Sequence, residues 1–227
     1  MREDNSSQAA GYGREHDVRF AAHASKPPRR DAALPGFENV NTYYEGVTGF
    51  WIVQILPGEF YVTKSNEMIT TVLGSCVSTC IRDPESGVAG MNHFMLPEDP
   101  SGGNGASARY GVFAMEQLVN GILRFGGRRA SLEIKIFGGG RVIHGMGDVG
   151  RSNVDFVREF LEAEKMPILV QDVGLTVARR VRFEAATGKV RVLHLPMSEN
   201  RNVAEREVAL ASKIQSGASR GGDIELF

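Results

Sequence analysis

The chain has 227 residues, 42% of them hydrophobic, a length and composition typical of one globular domain with appendages. Its 26 basic and 27 acidic residues leave a formal net charge of -1, so overall charge provides no attraction to nucleic acid or to an anionic membrane. The sequence has no uninterrupted apolar run of the roughly 18 residues that a membrane-spanning helix needs, so no membrane insertion is expected.

The N-terminal residues and the cysteine content indicate the cellular compartment, and the composition of the first residues indicates a domain boundary. The N-terminus has no apolar signal-peptide core, and the two cysteines of the chain are Cys76 and Cys80, so a reducing cytoplasm is the expected location. Residues 1–36 are rich in small, polar and basic residues without apolar periodicity, which predicts a disordered leader. We therefore expect a globular domain over 37–198 and a partly helical extension over 199–227.

Alternating apolar residues predict strands in the first half of the domain. The predicted strands cover residues 51–63 (broken at Pro57-Gly58), 68–73, 76–82 and 88–96, with a turn at 83–87. The polar stretch 98–106 is expected to be a loop. The last two strands are separated only by the turn, so they are expected to pair as a hairpin.

Helical periodicity dominates the second half of the domain. A first helix has an apolar face formed by Val112, Met115, Leu118, Val119 and Ile122, and a second is predicted to begin at Ser152. Further strands are predicted at 132–137, 167–173, 181–183 and 190–195, and a surface helix at 199–216. These elements predict an α/β domain, α+β-like, with mixed or antiparallel sheets flanked by helices.

The predicted hairpin brings a thiol and an imidazole together. With its turn centred near Glu85, paired positions sum to about 170, so Cys76 faces position 94 and lies next to His93. A thiol beside an imidazole can form a nucleophile–base pair, since the thiolate is the reactive species. Gly74 and Ser75 immediately precede the cysteine, and their backbone N–H groups are candidates for an oxyanion hole.

Structural interpretations of these residues remain open. A single cysteine in a strand is usually a small core residue, and a single histidine is usually a satisfied structural group. Cys80 lies too far from Cys76 along an extended strand for a disulfide, and we interpret it as structural packing. Two cysteines at this spacing with scattered histidines do not form a tetrahedral zinc set, so no metal or cofactor is expected.

Several segments resemble one family. The segment TVLGSCVSTCIRDPESGVAGMNHFMLP, residues 71–97, strongly resembles CheD, the family of chemoreceptor glutamine deamidases. The resemblance extends over roughly residues 50–195 and includes ARYG at 108–111, KIFGGG at 135–140, GRSN at 150–153 and QDVG at 171–174. The sequence departs from the family pattern at Gly140 and over 174–180.

The resemblance implies a fold, an activity and site residues. It implies an unusual α/β fold similar to that of glutamine-deamidating bacterial toxins, with Cys76 as nucleophile, His93 as base and Thr70 as the residue that orients the imidazole. Asn92, beside the histidine, is expected to help shape the site. The implied reaction converts glutamine side chains of methyl-accepting chemotaxis receptors to glutamate through a thioester.

Partners and rival functions follow from the same resemblance. It implies recruitment to chemoreceptors as substrates and, as a further partner, a CheC-type phosphatase. The main rival is a non-catalytic chemotaxis regulator that binds such a phosphatase or receptors. The residues are also compatible with a cysteine peptidase, a transglutaminase-like acyl transferase or a purely structural domain.

Overall fold

The computed structural model describes residues 26–96, 105–142 and 148–219. Most of the predicted leader, residues 1–25, lies outside these ranges, as do most of the predicted loop at 98–106 and the last residues, 220–227. Within the described residues, the strands are β1 Asn41–Glu45, β2 Phe50–Gln54, β3 Phe60–Thr63, β4 Glu67–Leu73, β5 Val77–Arg82, β6 Ala89–Asn92, β7 Glu133–Gly138, β8 Ile168–Val173, β9 Arg179–Glu184 and β10 Val190–His194.

The strands form two five-stranded sheets. The first has the order β1-β2-β4-β9-β10 and the second the order β3-β6-β5-β7-β8. The pairs β2–β4 and β7–β8 are parallel, and the other neighbouring pairs are antiparallel. The predicted α+β class with mixed sheets is therefore confirmed. The break at Pro57-Gly58 separates β2 from β3, which lie in different sheets.

Three helices accompany the sheets in the described residues: α1 Gly105–Arg124, α2 Val149–Ala163 and α3 Asn200–Ser219. The prediction that the second helix begins at Ser152 is wrong by three residues. Asp148 caps α2, because its side chain accepts a hydrogen bond from the Arg151 N–H, and the Ser152 hydroxyl bonds back to the Asp148 carbonyl from inside the helix. None of the helices in the described ranges is long and apolar enough to cross a membrane.

Buried apolar side chains form one large cluster and one small one. The large cluster draws on both sheets, on the inner faces of α1 and α2, and on Ala211 of α3. The small cluster, formed by Val142, Ala178 and Val203, lies under the first half of α3. The helix predicted at 199–216 therefore corresponds to α3, and it buries one face against the domain.

The end of the predicted leader contacts the first sheet. Arg30 forms an ion pair of 2.7 Å with Glu67, and the Trp51 indole N–H donates to the Pro28 carbonyl at 3.2 Å. Residues 26–36 contain no helix or strand.

The chain crosses from the first sheet to the second between β4 and β5. The connection consists of Gly74, Ser75 and Cys76, and we call these three residues the crossover turn. The turn places a short irregular backbone between two buried sheets, and the candidate site is built around it.

Candidate active site

The hairpin register brings Cys76 and His93 to one face. Val77 forms a β-bridge with Phe94, with N–H···O distances of 2.9 and 3.0 Å, so paired positions sum to 171. The predicted sum of about 170 is off by one. In this register Cys76 lies opposite position 95, and His93 is two residues away from that position on the same strand. Side chains two residues apart on a strand face the same side, so the Cys76 and His93 side chains share one face. The Cys76 Sγ, a His93 ring nitrogen and a Glu207 carboxylate oxygen all lie within 4.8 Å of one another.

A threonine on β4 fixes the imidazole. The Thr71 Oγ1 lies 2.7 Å from His93 Nδ1 and donates to the Ile55 carbonyl at 2.8 Å. A hydroxyl has one proton, so with that proton directed at Ile55 the Thr71 oxygen accepts from Nδ1–H. Nε2 is then the unprotonated nitrogen, and it is buried without a hydrogen-bond partner in the described residues. This tautomer leaves a lone pair available to take the proton of a thiol.

The expected role of Thr70 is corrected by this geometry. Thr70 points to the other face of β4, where its hydroxyl donates to the Val181 carbonyl at 2.9 Å. Adjacent residues of a strand face opposite sides, so only one of the two threonines can reach His93. The structure brings Thr71, not Thr70, to the ring.

The crossover turn has all three of its carbonyls engaged on one side. The Gly74 carbonyl accepts from Gly140 N–H at 2.6 Å, and the Cys76 carbonyl from Gly139 N–H at 2.8 Å. The Ser75 carbonyl accepts from the Asn153 side-chain amide at 2.8 Å. The Gly74 and Ser75 carbonyls share their peptide groups with the N–H groups of Ser75 and Cys76, so these contacts leave those two N–H groups available to a different acceptor.

That acceptor is the carboxylate of Glu207 on α3. Its Oε1 accepts from Gly74 N–H at 2.9 Å and Cys76 N–H at 3.0 Å. Its Oε2 accepts from Ser75 N–H at 2.8 Å and from the Ser75 hydroxyl at 2.6 Å. Convergent backbone N–H groups form an anion-binding concavity, and two such donors on one oxygen are the arrangement that stabilises a tetrahedral oxyanion. We call the N–H groups of Gly74, Ser75 and Cys76 the N–H cradle.

Gly74 is required for this approach. A Cβ at that position would lie 2.5 Å from Val142 Cγ2, 2.8 Å from Glu207 Oε2 and 3.0 Å from Val203 Cγ1. Any larger residue would clash with Val142 and with the Glu207 and Val203 side chains of α3.

Burial sets the protonation of the pair. Cys76 has no exposed surface and His93 is 1% exposed. Burial, followed by the negative charge of Glu207 and its hydrogen bond, raises the pKa of the Cys76 thiol well above its usual value. Burial lowers the pKa of His93 to about 4, and the opposing effect of the Glu207 charge is smaller. Both shifts favour a neutral thiol beside a neutral imidazole.

Asn92 and Cys80 have structural surroundings. The Asn92 side chain accepts from Thr79 N–H at 2.8 Å and donates to the Ala114 carbonyl at 3.2 Å, which ties the hairpin to α1 on the side away from the thiol. Cys80 is a buried free thiol that pairs with Met91 across the hairpin. Both contacts are those of packing residues.

The cysteine, the histidine and Glu207 have donor types that bind transition metals. However, each Glu207 oxygen already accepts two hydrogen bonds from N–H or O–H donors. Convergent N–H groups repel a cation and attract an anion, so this donor set favours an anion site.

Sequence reasoning misses three residues of the site. Thr71 adjoins the predicted Thr70, and the sequence does not show which face of β4 lies toward the histidine. Asn153 lies in the GRSN motif at 150–153, which the sequence pattern marks only as a helix start. Glu207 lies in the C-terminal extension, more than 100 residues from the turn it contacts, and no local pattern distinguishes it from the acidic residues that any surface helix carries.

Comparisons with known proteins identify the family of this chain. The family model described as CheD chemotactic sensory transduction matches residues 95–194. A protein of Hahella chejuensis named probable chemoreceptor glutamine deamidase CheD is 42% identical over 206 residues, which cover 89% of this chain and 97% of that protein. Proteins with the same name from Janthinobacterium sp. and Hydrogenovibrio crunogenus are both 46% identical, over 82% and 81% of this chain and 94% and 96% of their own lengths. The chain belongs to the CheD family.

Proposed function

We propose that this protein is a protein-glutamine deamidase that converts glutamine side chains of chemoreceptors to glutamate. The observation that carries the proposal is the N–H cradle, which lies at the candidate nucleophile Cys76 and its candidate base His93. The names of the relatives support chemoreceptors as the substrate class.

The proposed reaction proceeds in two stages. His93 Nε2 takes the proton of Cys76, and the thiolate attacks the side-chain carbonyl carbon of a glutamine. The resulting oxyanion is held by the N–H groups of Gly74 and Cys76. His93 then returns the proton to the amide nitrogen, the C–N bond breaks, and ammonia leaves a thioester.

Hydrolysis completes the cycle. His93 takes a proton from water, the hydroxide adds to the thioester carbon, and the C–S bond breaks to release glutamate and regenerate the thiol. Thr71 holds Nδ1–H throughout, so Nε2 remains the nitrogen that exchanges protons. Thr71 is neutral, and it gives the imidazolium less stabilisation than a carboxylate would.

The proposal includes a cytoplasmic location, because the enzyme has to reach the cytoplasmic part of a receptor. It includes recruitment to receptors and leaves binding to a CheC-type phosphatase as a further partner to be tested. It also takes residues 37–198 as the catalytic domain and residues 199–227 as an extension.

The test is mass spectrometry of a receptor cytoplasmic fragment incubated with wild type, with Cys76→Ala and with Cys80→Ala. We expect glutamine-to-glutamate conversion and ammonia release with wild type and Cys80→Ala and none with Cys76→Ala. Conversion that survives Cys76→Ala would refute the assigned nucleophile. Absence of conversion by any variant, with the receptor fragment still bound, would favour the non-catalytic regulator.

A further inference from the structure

The carboxylate in the cradle has the chemistry of the reaction product. Deamidation of a glutamine gives a glutamate, and the group that the cradle holds is the side chain of Glu207. Its Oε1 accepts from the N–H groups of Gly74 and Cys76, the two donors assigned to the oxyanion. Its Oε2 accepts two more hydrogen bonds from Ser75. The contacts are those expected of a bound product, except that the glutamate belongs to the same chain.

Helix α3 presents this glutamate from one buried stripe. Val203, Glu207 and Ala211 are spaced four residues apart and all are buried, with 6%, 2% and 4% exposure. Residues four apart share a helix face, so the stripe lies against the domain. Glu205 and Arg206, between them, are exposed.

The start of α3 is fixed by a side chain as well. The Asn200 side-chain amide donates to the Thr176 carbonyl at 2.8 Å, and its oxygen accepts from Ala178 N–H at 2.9 Å. Val203 packs beside it against Val142. Helix α3 is thus docked at its start, at Glu207 and, through Ala211, on the large core.

The docked helix closes the site. Cys76 has no exposed surface, and the cradle has no N–H group left for a second acceptor. A glutamine side chain from another protein needs the positions that the Glu207 carboxylate occupies. We propose that α3 is an autoinhibitory helix that holds Glu207 in the cradle as an attached product mimic, and that a substrate segment must displace it. This inference rests on the proposed function, because the term product applies only if the reaction is deamidation.

Displacement would also activate the nucleophile. The Glu207 charge and hydrogen bond both raise the pKa of Cys76 in the docked state, and burial raises it further. Removal of the helix removes a negative charge beside the thiol and admits water, and both changes lower the thiol pKa. One movement of α3 therefore opens the cradle and increases the thiolate fraction.

The experiment compares two acidic residues of α3 in the full-length protein. Glu207→Ala removes the mimic, whereas Glu205→Ala removes an exposed carboxylate that pairs with Arg201 and makes no contact with the cradle. The readout is the rate at which iodoacetamide alkylates Cys76, followed by peptide mass spectrometry, with Cys80 as the internal reference. We expect about a tenfold or greater increase for Glu207→Ala, since each unit of thiol pKa is tenfold in thiolate. Glu205→Ala should stay within about twofold of wild type, and alkylation of Cys80 should not change.

A second variant covers the case in which Glu207→Ala perturbs folding. Val203→Asp places a charge in the small apolar cluster and weakens docking of α3 without changing the cradle or its carboxylate. It should increase Cys76 alkylation in the same direction. Unchanged or slower alkylation in both variants would overturn the proposal, and so would unfolding of both, because α3 would then be an integral part of the domain.

A parallel assay separates this inference from the proposed function. We expect Glu207→Ala and Val203→Asp to deamidate a receptor fragment faster than wild type does. Faster alkylation without deamidation by any variant would refute the proposed function while retaining α3 as a cover for Cys76. Deamidation by wild type, with no increase in alkylation or turnover in either variant, would refute autoinhibition and leave the function intact.

Discussion

Helices α2 and α3 contact the crossover turn from opposite sides and with opposite chemistry. On one side α2 provides a donor, the Asn153 amide, to the Ser75 carbonyl. On the other side α3 provides an acceptor, the Glu207 carboxylate, to the N–H groups of the turn. One helix fixes the direction of the peptide groups, and the other occupies the place toward which they point.

The two helices are also attached differently. The start of α2 lies so close to the end of β7 that a Cβ on Gly150 would come within 2.6 Å of the Gly139 carbonyl, and α2 contributes Val154, Val157 and Leu161 to the large core. The start of α3 packs on the small separate cluster, and α3 contributes one buried residue, Ala211, to the large core. Local stability follows the amount of buried apolar contact, so α3 is expected to open at a lower free energy than α2. The site thus combines a permanent support with a removable cover.

The largest expected effect is loss of the permanent support. Asn153→Ala removes the donor to the Ser75 carbonyl and the acceptor for Leu96 N–H. We expect kcat for deamidation to fall by about 10²–10³, the usual result of losing oxyanion stabilisation, with a smaller change in KM. Kinetics on a receptor fragment test this, with Glu159→Gln on the exposed face of α2 as the control. An increase in kcat would reverse the assignment of α2 as the support.

The next effect concerns the imidazole, which is positioned by β4 and by neither helix. Thr71→Val keeps the shape but removes the hydroxyl that accepts from Nδ1–H, and we expect kcat to fall about a hundredfold. Thr70→Val is the matched control, because it loses one hydrogen bond to the Val181 carbonyl and should cost about 1 kcal/mol of unfolding free energy with little change in kcat.

A conservative substitution at Thr71 distinguishes a role in positioning the imidazole from a role in packing. Thr71→Ser retains the hydroxyl and should restore most of the rate and the wild-type pH profile. If Thr70→Val were the variant with the larger loss of kcat, the register assigned to β4 at the site would be wrong.

The smallest expected effect is a dependence of stability on pH. Burial lowers the pKa of His93 from its ordinary value of 6.5 to about 4, so the folded protein disfavours the protonated ring. A lowered pKa contributes stability above pH 6.5 that is lost as the pH falls toward 4. Between pH 7 and pH 5 this amounts to about 2 kcal/mol of unfolding free energy.

Urea unfolding at pH 7 and pH 5 measures this loss, and His93→Gln removes the contribution of the ring. The loss of unfolding free energy between pH 7 and pH 5 should therefore be larger in wild type than in His93→Gln. When Val203→Asp is added to both proteins, this difference should shrink, because release of α3 hydrates the imidazole. An identical difference in both backgrounds would show that α3 does not control burial of the ring.

The local parts of the fold could be predicted from the sequence, because apolar periodicity and turn residues record them directly. The strand at 76–82, a shorter strand within 88–96 and the proximity of Cys76 to His93 follow from residues less than 25 positions apart, but the predicted register, off by one, would have put the two side chains on opposite faces. The register of a strand is less well determined by the sequence, and a shift of one residue exchanges the two faces of the strand. On β4 such a shift decides whether Thr70 or Thr71 faces the histidine. The sequence pattern around β4 is compatible with either threonine facing the histidine.

The contact of Glu207 with the turn could not be predicted in this way. Its partners are backbone N–H groups, which every non-proline residue has, so the sequence contains no complementary side chain to search for. Only the crossover between two sheets and the packing of Val203 on Val142 bring the carboxylate to these donors.

Closure by α3 also bears on chemical damage. Oxidants such as peroxide attack the thiolate, and repeated oxidation of a cysteine to sulfinic or sulfonic acid is irreversible for most enzymes. With Glu207 docked, Cys76 has no exposed surface, and burial and the Glu207 charge raise the pKa of its thiol, so we expect it to react slowly with oxidants between encounters with a substrate. The same helix that delays catalysis therefore extends the working lifetime of the nucleophile.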